Sequence, residues 1–144
     1  MFDVGRWWEG VEKAPDKITA EALIKLAKSH PKIIGIGETG LDYFYEYSKR
    51  DLQQDSFRAH IAAAQETGKP IIVHSRDADD DTIGLLKSEM KNKPYKGLIH
   101  CFSSTKKLAQ ESLDIGLYIS VAGIITFNNA VELRAAVADI PLEK

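Results

Sequence analysis

Three apolar runs in this chain each stop at a residue able to bind a metal ion. They are Ile33-Ile34-Gly35-Ile36-Gly37-Glu38, Pro70-Ile71-Ile72-Val73-His74 and Gly97-Leu98-Ile99-His100. Short β-branched runs of this kind read as parallel strands covered on both faces. One polar ending is an accident of core patterning. Three in succession predict one carboxylate and two imidazoles converging at the C-terminal ends of neighbouring strands, where a (β/α) barrel assembles its active site.

Helical patterns recur between these runs. Leu23, Ile24 and Ala27 share a face within residues 19–30, with Thr19 as N-cap and Pro31 as the stop. Ser48-Lys49-Arg50-Asp51 fits a capping box with Asp in place of the usual Glu. Its helix carries Leu52, Phe57, Ile61 and Ala64 and ends at Gly68. Ile83, Leu86 and Met90 predict a helix over residues 79–91. Ser104 is expected to cap a helix bearing Leu108, Ala109 and Leu113, closed by Gly116. A fourth strand over residues 117–121 precedes an Asn128-capped helix with Leu133, Val137 and Ile140.

The predicted order is therefore a lone helix followed by four βα units, in one domain spanning residues 1–144. A closed barrel needs eight strands and typically about 250 residues. The chain supplies about half of that, so the fold expected is α/β, a partial TIM (β/α) barrel. An open parallel sheet is the alternative, but no switch point or phosphate-binding glycine loop marks one. Trp7 and Trp8 lie ahead of the first helix, where a packing role on helices is expected before a stacking role on bases.

A net charge of −2 and a pI near 6.1 exclude a wholesale basic surface for nucleic acid, so phosphate contacts would be local. The single cysteine, Cys101, excludes an intramolecular disulfide and fits a reducing compartment. No apolar stretch approaches the roughly 20 residues of a membrane helix, and the N-terminus lacks a signal-peptide pattern. A cytoplasmic protein with no membrane partner is expected.

Glu38 and His74 are 36 residues apart, and His74 and His100 are 26 apart. These are strand-to-strand distances, so the ligand reading depends on the strands being neighbours in one sheet. Singly, Glu38 also reads as a carboxylate solvating a strand end, and each histidine as a core imidazole bonded to backbone carbonyls. As three equivalent positions they suit zinc, manganese or iron, a carboxylate-rich site also admits magnesium, and open positions are left for water. Arg76 is placed to fork onto a substrate phosphate; a salt bridge to Asp77, Asp79 or Asp80 is the competing account. Asp42 and Tyr43 fall on the loop after the Glu38 strand, where turn chemistry suffices for Asp42. Cys101, next to His100 on a strand, points to the opposite face and reads as a small buried hydrophobe. His60 reads as a surface or packing residue, and His30 as a helix-terminal one.

Around these residues lie the segments Ile36-Gly37-Glu38-Thr39-Gly40-Leu41-Asp42-Tyr43, Val73-His74-Ser75-Arg76-Asp77-Ala78, His100-Cys101-Phe102-Ser103 and Tyr118-Ile119-Ser120. In this order and spacing they resemble the TatD family of metal-dependent deoxyribonucleases. Asn129-Ala130-Val131-Glu132-Leu133-Arg134 ahead of Ile140-Pro141-Leu142-Glu143 extends the resemblance. It implies a TIM barrel of the metallo-dependent hydrolase type that cleaves DNA phosphodiesters with metal-activated water. It also implies one or two divalent ions (Mg, Mn or Zn), with Glu38, His74 and His100 as ligands. A related metallo-hydrolase acting on another ester or amide is the runner-up.

The family pattern opens with a His-x-His strand and carries an Asp in a later E-T-D-x-P segment, the expected base; neither occurs here. Ser104 stands where the family commonly has Gly. The chain thus reads as strands three to six of the barrel, without an identified catalytic base. A half barrel used as a non-catalytic module would expose two sheet edges and pair through them with a second copy or partner.

Overall fold

The computed structural model describes residues 18–45 and 47–144; Trp7 and Trp8 lie outside them. The first helix, α1 (Ala20–Lys28), starts where Thr19 accepts a hydrogen bond from the Ala22 amide at 3.3 Å. The order continues β1 (Ile36–Asp42), α2 (Arg50–Thr67), β2 (Ile71–Arg76), α3 (Asp79–Asn92) and β3 (Gly97–Ile99). It closes with α4 (Lys106–Asp114), β4 (Tyr118–Ile119), a short 3-10 helix (Gly123–Thr126) and α5 (Val131–Ala138). Gly68 and Gly116 end α2 and α4 at φ 69° and 85°, as their sequence positions suggest. No helix among the described residues is long and apolar enough to cross a membrane.

The four strands are parallel and lie in the order β1-β2-β3-β4. Right-handed crossovers between sequential strands put every connecting helix on the same face. That is the wall of a barrel, not a doubly wound sheet with a switch point. Burial follows suit. Ile71, Val73 and Ser75 of β2 are buried, whereas Ile72, His74 and Arg76 are half-buried. In β1, Thr39 and Leu41 are buried while Glu38 is exposed and Asp42 half-buried. One face of the sheet is thus covered, not both. The core on that face joins Leu41, Ile71, Val73 and Ile99 to Phe57 and Ile61 of α2 and Leu86 of α3.

The open face also explains why the strands run further than their apolar stretches. β1 begins only at Ile36 and continues through Asp42, and β2 continues to Arg76. On a half-covered strand alternate positions can be polar without cost to the core. β4 is shorter than expected, at Tyr118–Ile119.

Three expected caps form differently. Lys49 precedes α2 with no side-chain cap, because Gln53 Nε2 takes the Ser48 carbonyl at 2.9 Å and Asp51 accepts from the adjacent Leu52 amide. Leu52 itself is exposed. Thr105, not Ser104, caps α4 through the Leu108 amide at 3.2 Å. Ser104 instead donates to Asp79 at 2.5 Å, and Asp79 also receives the Thr105 hydroxyl at 2.7 Å. This carboxylate ties the start of α3 to the start of α4. Asn128 contributes its carbonyl rather than its side chain: Arg134 donates to the carbonyls of Ile125, Phe127 and Asn128, and α5 starts at Val131. On the β4 edge, the Ile119 amide donates to the Lys144 carbonyl at 2.9 Å, so that edge is not wholly bare.

Candidate metal centre

The register sets Gly40 opposite His74, Asp42 opposite Arg76 and Val73 opposite Ile99. Glu38 and Asp42 flank Gly40 at two-residue steps and therefore project from the same, open face. His74, level with Gly40, places its ring between the two carboxylates. Nδ1 lies 3.3 Å from Glu38 Oε1, and Nε2 lies 3.1 Å from Asp42 Oδ2. Asp42 is thus a strand residue in contact with His74, not a loop residue. Its other oxygen accepts the Phe44 and Tyr45 amides, both at 3.0 Å, which starts the following turn. Gln53 fixes its main chain, accepting from the Asp42 amide at 2.8 Å and donating to its carbonyl at 3.0 Å.

The electrostatics follow from this packing. The hydrogen bond from His74 lowers the Glu38 pKa; burial opposes it, and the nearby charges of His100 and His74 add to it. For Asp42, burial is the largest single influence and raises the pKa. The amides of Tyr45 and Phe44 together with the His74 ring outweigh it, for a net lowering. His74 is raised, first by its bond to Glu38, against the opposing effect of burial, and then by Asp42. Each shift favours the charged form of its group.

His100 lies in the turn just beyond β3, exposed, with its amide bonded to the Val73 carbonyl at 2.7 Å. It reaches Glu38 through charge, without a side-chain contact. Among the described residues no group of three or more His, Cys, Asp or Glu side chains is arranged to hold a metal ion. The structure therefore brings Glu38 and His74 together, adds Asp42, and leaves His100 at the same rim.

Arg76 forms no salt bridge to Asp77, Asp79 or Asp80. Its guanidinium lies 3.9 Å from the Phe44 ring centroid and 4.8 Å from that of Tyr45. Asp79 is occupied by Ser104 and Thr105, and Asp80 by Lys107 at 2.6 Å. Cys101 follows the end of β3 at φ 45° and is half-buried, so it does not sit in the core as a strand residue would. His60 bonds to the Ser56 carbonyl at 2.7 Å and burial lowers its pKa; His30 accepts from the Lys32 amide. Both lie outside the cluster.

The His74 cluster predicts a pH signature in chelator. The lowered carboxylates stabilise the fold above their ordinary values of 4.5 and 3.8, and this is lost as pH falls through the lowered values. Raised His74 stabilises below its ordinary 6.5, and this is lost as pH rises through the raised value. The stability difference between wild type and His74→Gln is thus expected to peak between about pH 4.5 and 6.5 and shrink on both sides. Taking the difference removes the opposite contribution of His60. Denaturant melts across pH check it; a difference flat from acid to alkaline pH would remove the charge coupling.

Sequential parallel strands with two carboxylates and an imidazole on the open face define a partial (β/α) barrel with an acid–imidazole cluster. The family model "TatD related DNase" matches residues 8–144, and the chain belongs to that family. It is 43% identical over 129 residues to YcfH of Escherichia coli K12, named an uncharacterized metal-dependent hydrolase, covering 90% of this chain and 48% of YcfH. It is 36% identical over 126 residues to the 3'-5' ssDNA/RNA exonuclease TatD of Klebsiella pneumoniae, covering 87% of this chain and 47% of that one. The crystal structure of the TatD homologue YJJV from E. coli K12 superposes with a TM-score of 0.75 at 28% identity, covering 85% of this chain and 47% of that one. The chain thus spans about half the length of the relatives it matches.

Proposed function

We propose that the chain carries part of the active site of a divalent-metal-dependent hydrolase that cleaves phosphodiester bonds of DNA. The observation that carries this is His74 held between Glu38 and Asp42. Two carboxylates drawn around an imidazole make a site that favours positive charge. Its nitrogen and oxygen donors would suit magnesium, manganese or zinc.

Glu38, His74 and His100 are the ligands in this reading. Asp42, bonded to the far nitrogen of His74, orients the ring and raises its basicity, as carboxylates behind ligating histidines do. Arg76, at the end of β2 beside the cluster, binds the substrate phosphate. A metal held by these residues would supply Lewis acidity and lower the pKa of water beside it. The names of YcfH and of the Klebsiella exonuclease support hydrolysis and a nucleic-acid substrate.

The test is manganese binding by calorimetry on wild type and Glu38→Ala. Affinity is expected to fall at least about tenfold, the scale of one lost interaction of about 1.4 kcal/mol, with the circular dichroism spectrum unchanged. Unaltered affinity would sink the role assigned to Glu38.

A further inference from the structure

The turn leaving β1 carries Tyr43, Phe44, Tyr45 and Tyr47 within five positions. Their rings are ordered. Phe44 and Tyr45 meet edge to face, centroids 4.8 Å apart at 86°. Tyr45 and Tyr47 stack, 5.3 Å apart at 7°. Arg76 covers Phe44 and Tyr45, and the Arg50 guanidinium lies 4.1 Å from the Tyr43 centroid. Phe44 is nevertheless 55% exposed and Tyr47 76% exposed. Large aromatic rings left in water beside cations are unusual for a surface with no ligand.

We propose that Phe44, Tyr45 and Tyr47, with Arg76, form a base-stacking platform for single-stranded nucleic acid beside the Glu38–His74–Asp42 cluster. A two-ring stack with an open outer face accepts a further flat ring, and nucleobases supply one regardless of sequence. The guanidinium alongside meets the phosphate that joins one base to the next. A duplex has its bases stacked on each other and offers no free face. The platform is also anchored to the site: Asp42 accepts the amides of Phe44 and Tyr45 through one oxygen and contacts His74 through the other. A strand lying on the rings is thereby led toward that cluster.

This rests on the nucleic-acid part of the reading above but not on metal, so binding is measured in chelator. Fluorescence anisotropy of a labelled oligothymidylate would be compared for wild type, Tyr47→Ala, Tyr47→Phe and Arg76→Ala. Tyr47→Ala is expected to weaken binding about tenfold and Tyr47→Phe to retain it. Arg76→Ala is expected to weaken binding and reduce the salt slope by about 0.7. An abasic strand or a duplex bound as tightly as the oligothymidylate would overturn the platform. So would unchanged affinity in Tyr47→Ala, or the absence of binding. Failure of manganese binding with oligonucleotide binding intact would count against the metal site alone. The reverse result would count against the platform alone.

Discussion

Gly40→Ala is expected to cost more than about 4 kcal/mol of folding stability, placing it among the exceptional single substitutions. Gly40 has φ +150°, a conformation that L side chains rarely adopt. Forcing alanine there costs about 1–3 kcal/mol in backbone strain alone. The methyl group would also lie 1.8 Å from the His74 carbonyl oxygen, 2.8 Å from its carbon and 3.0 Å from the His74 nitrogen. All three atoms are backbone, so no side chain can turn aside. β1 and β2 would have to separate at the rung where Gly40 faces His74. The same movement withdraws the imidazole from Glu38 and Asp42. Gly68→Ala provides the comparison: φ is +69°, nothing lies within 4 Å, and the expected cost is about 1 kcal/mol. Urea unfolding of the two variants measures the contrast. A Gly40→Ala cost no larger than that of Gly68→Ala would mean that the strands do not approach as closely as described.

The second large effect is expected at Phe57, on α2. Its side chain is fully buried in the core beneath the sheet, with Leu41 and Ile71 in the same cluster. Phe57→Ala removes a ring from a close-packed site that cannot fully collapse, at about 3–5 kcal/mol. Leu52→Ala on the same helix changes an exposed side chain and is expected to stay within about 0.5 kcal/mol. Chemical denaturation of both distinguishes a helix held by one buried face from one held by its own propensity. Similar losses at the two positions would reject the assignment of that face.

The parts of the fold visible in the sequence were those enforced by burial or by a special backbone conformation. Thr19 marked the start of α1, Gly68 the end of α2, and the apolar runs located all four strands in order. The ends of β1 and β2 were not visible, because Glu38, Gly40, Asp42 and Arg76 belong to a face that no helix covers. Polar residues there look like a stop when they are only the open side of an alternating strand. The error at α4 has a local cause: Ser104 and Thr105 are both good caps, and which of them caps is decided by Asp79, which is 25 residues from Ser104. In the site, Glu38 and His74 stood out as single residues, and their contact follows from register. Asp42 was missed as a partner of His74, although its four-residue spacing from Glu38 put both on one face. His100 lies beyond the last rung of β3, so strand periodicity does not govern where its ring goes.

Gln53 has one more role to play at the margin of the sheet. Its amide group satisfies both main-chain polar groups of Asp42, just as a neighbouring strand would. The hydrogen-bonding groups of β1 on that side are therefore capped from within the chain at the end nearest the acidic cluster. Any segment that docks along this margin can zip alongside only as far as Gly40 before meeting a side chain already in its place. Among the described residues, Gln53 thus acts as an end-stop for strand addition beside the Glu38–His74–Asp42 cluster.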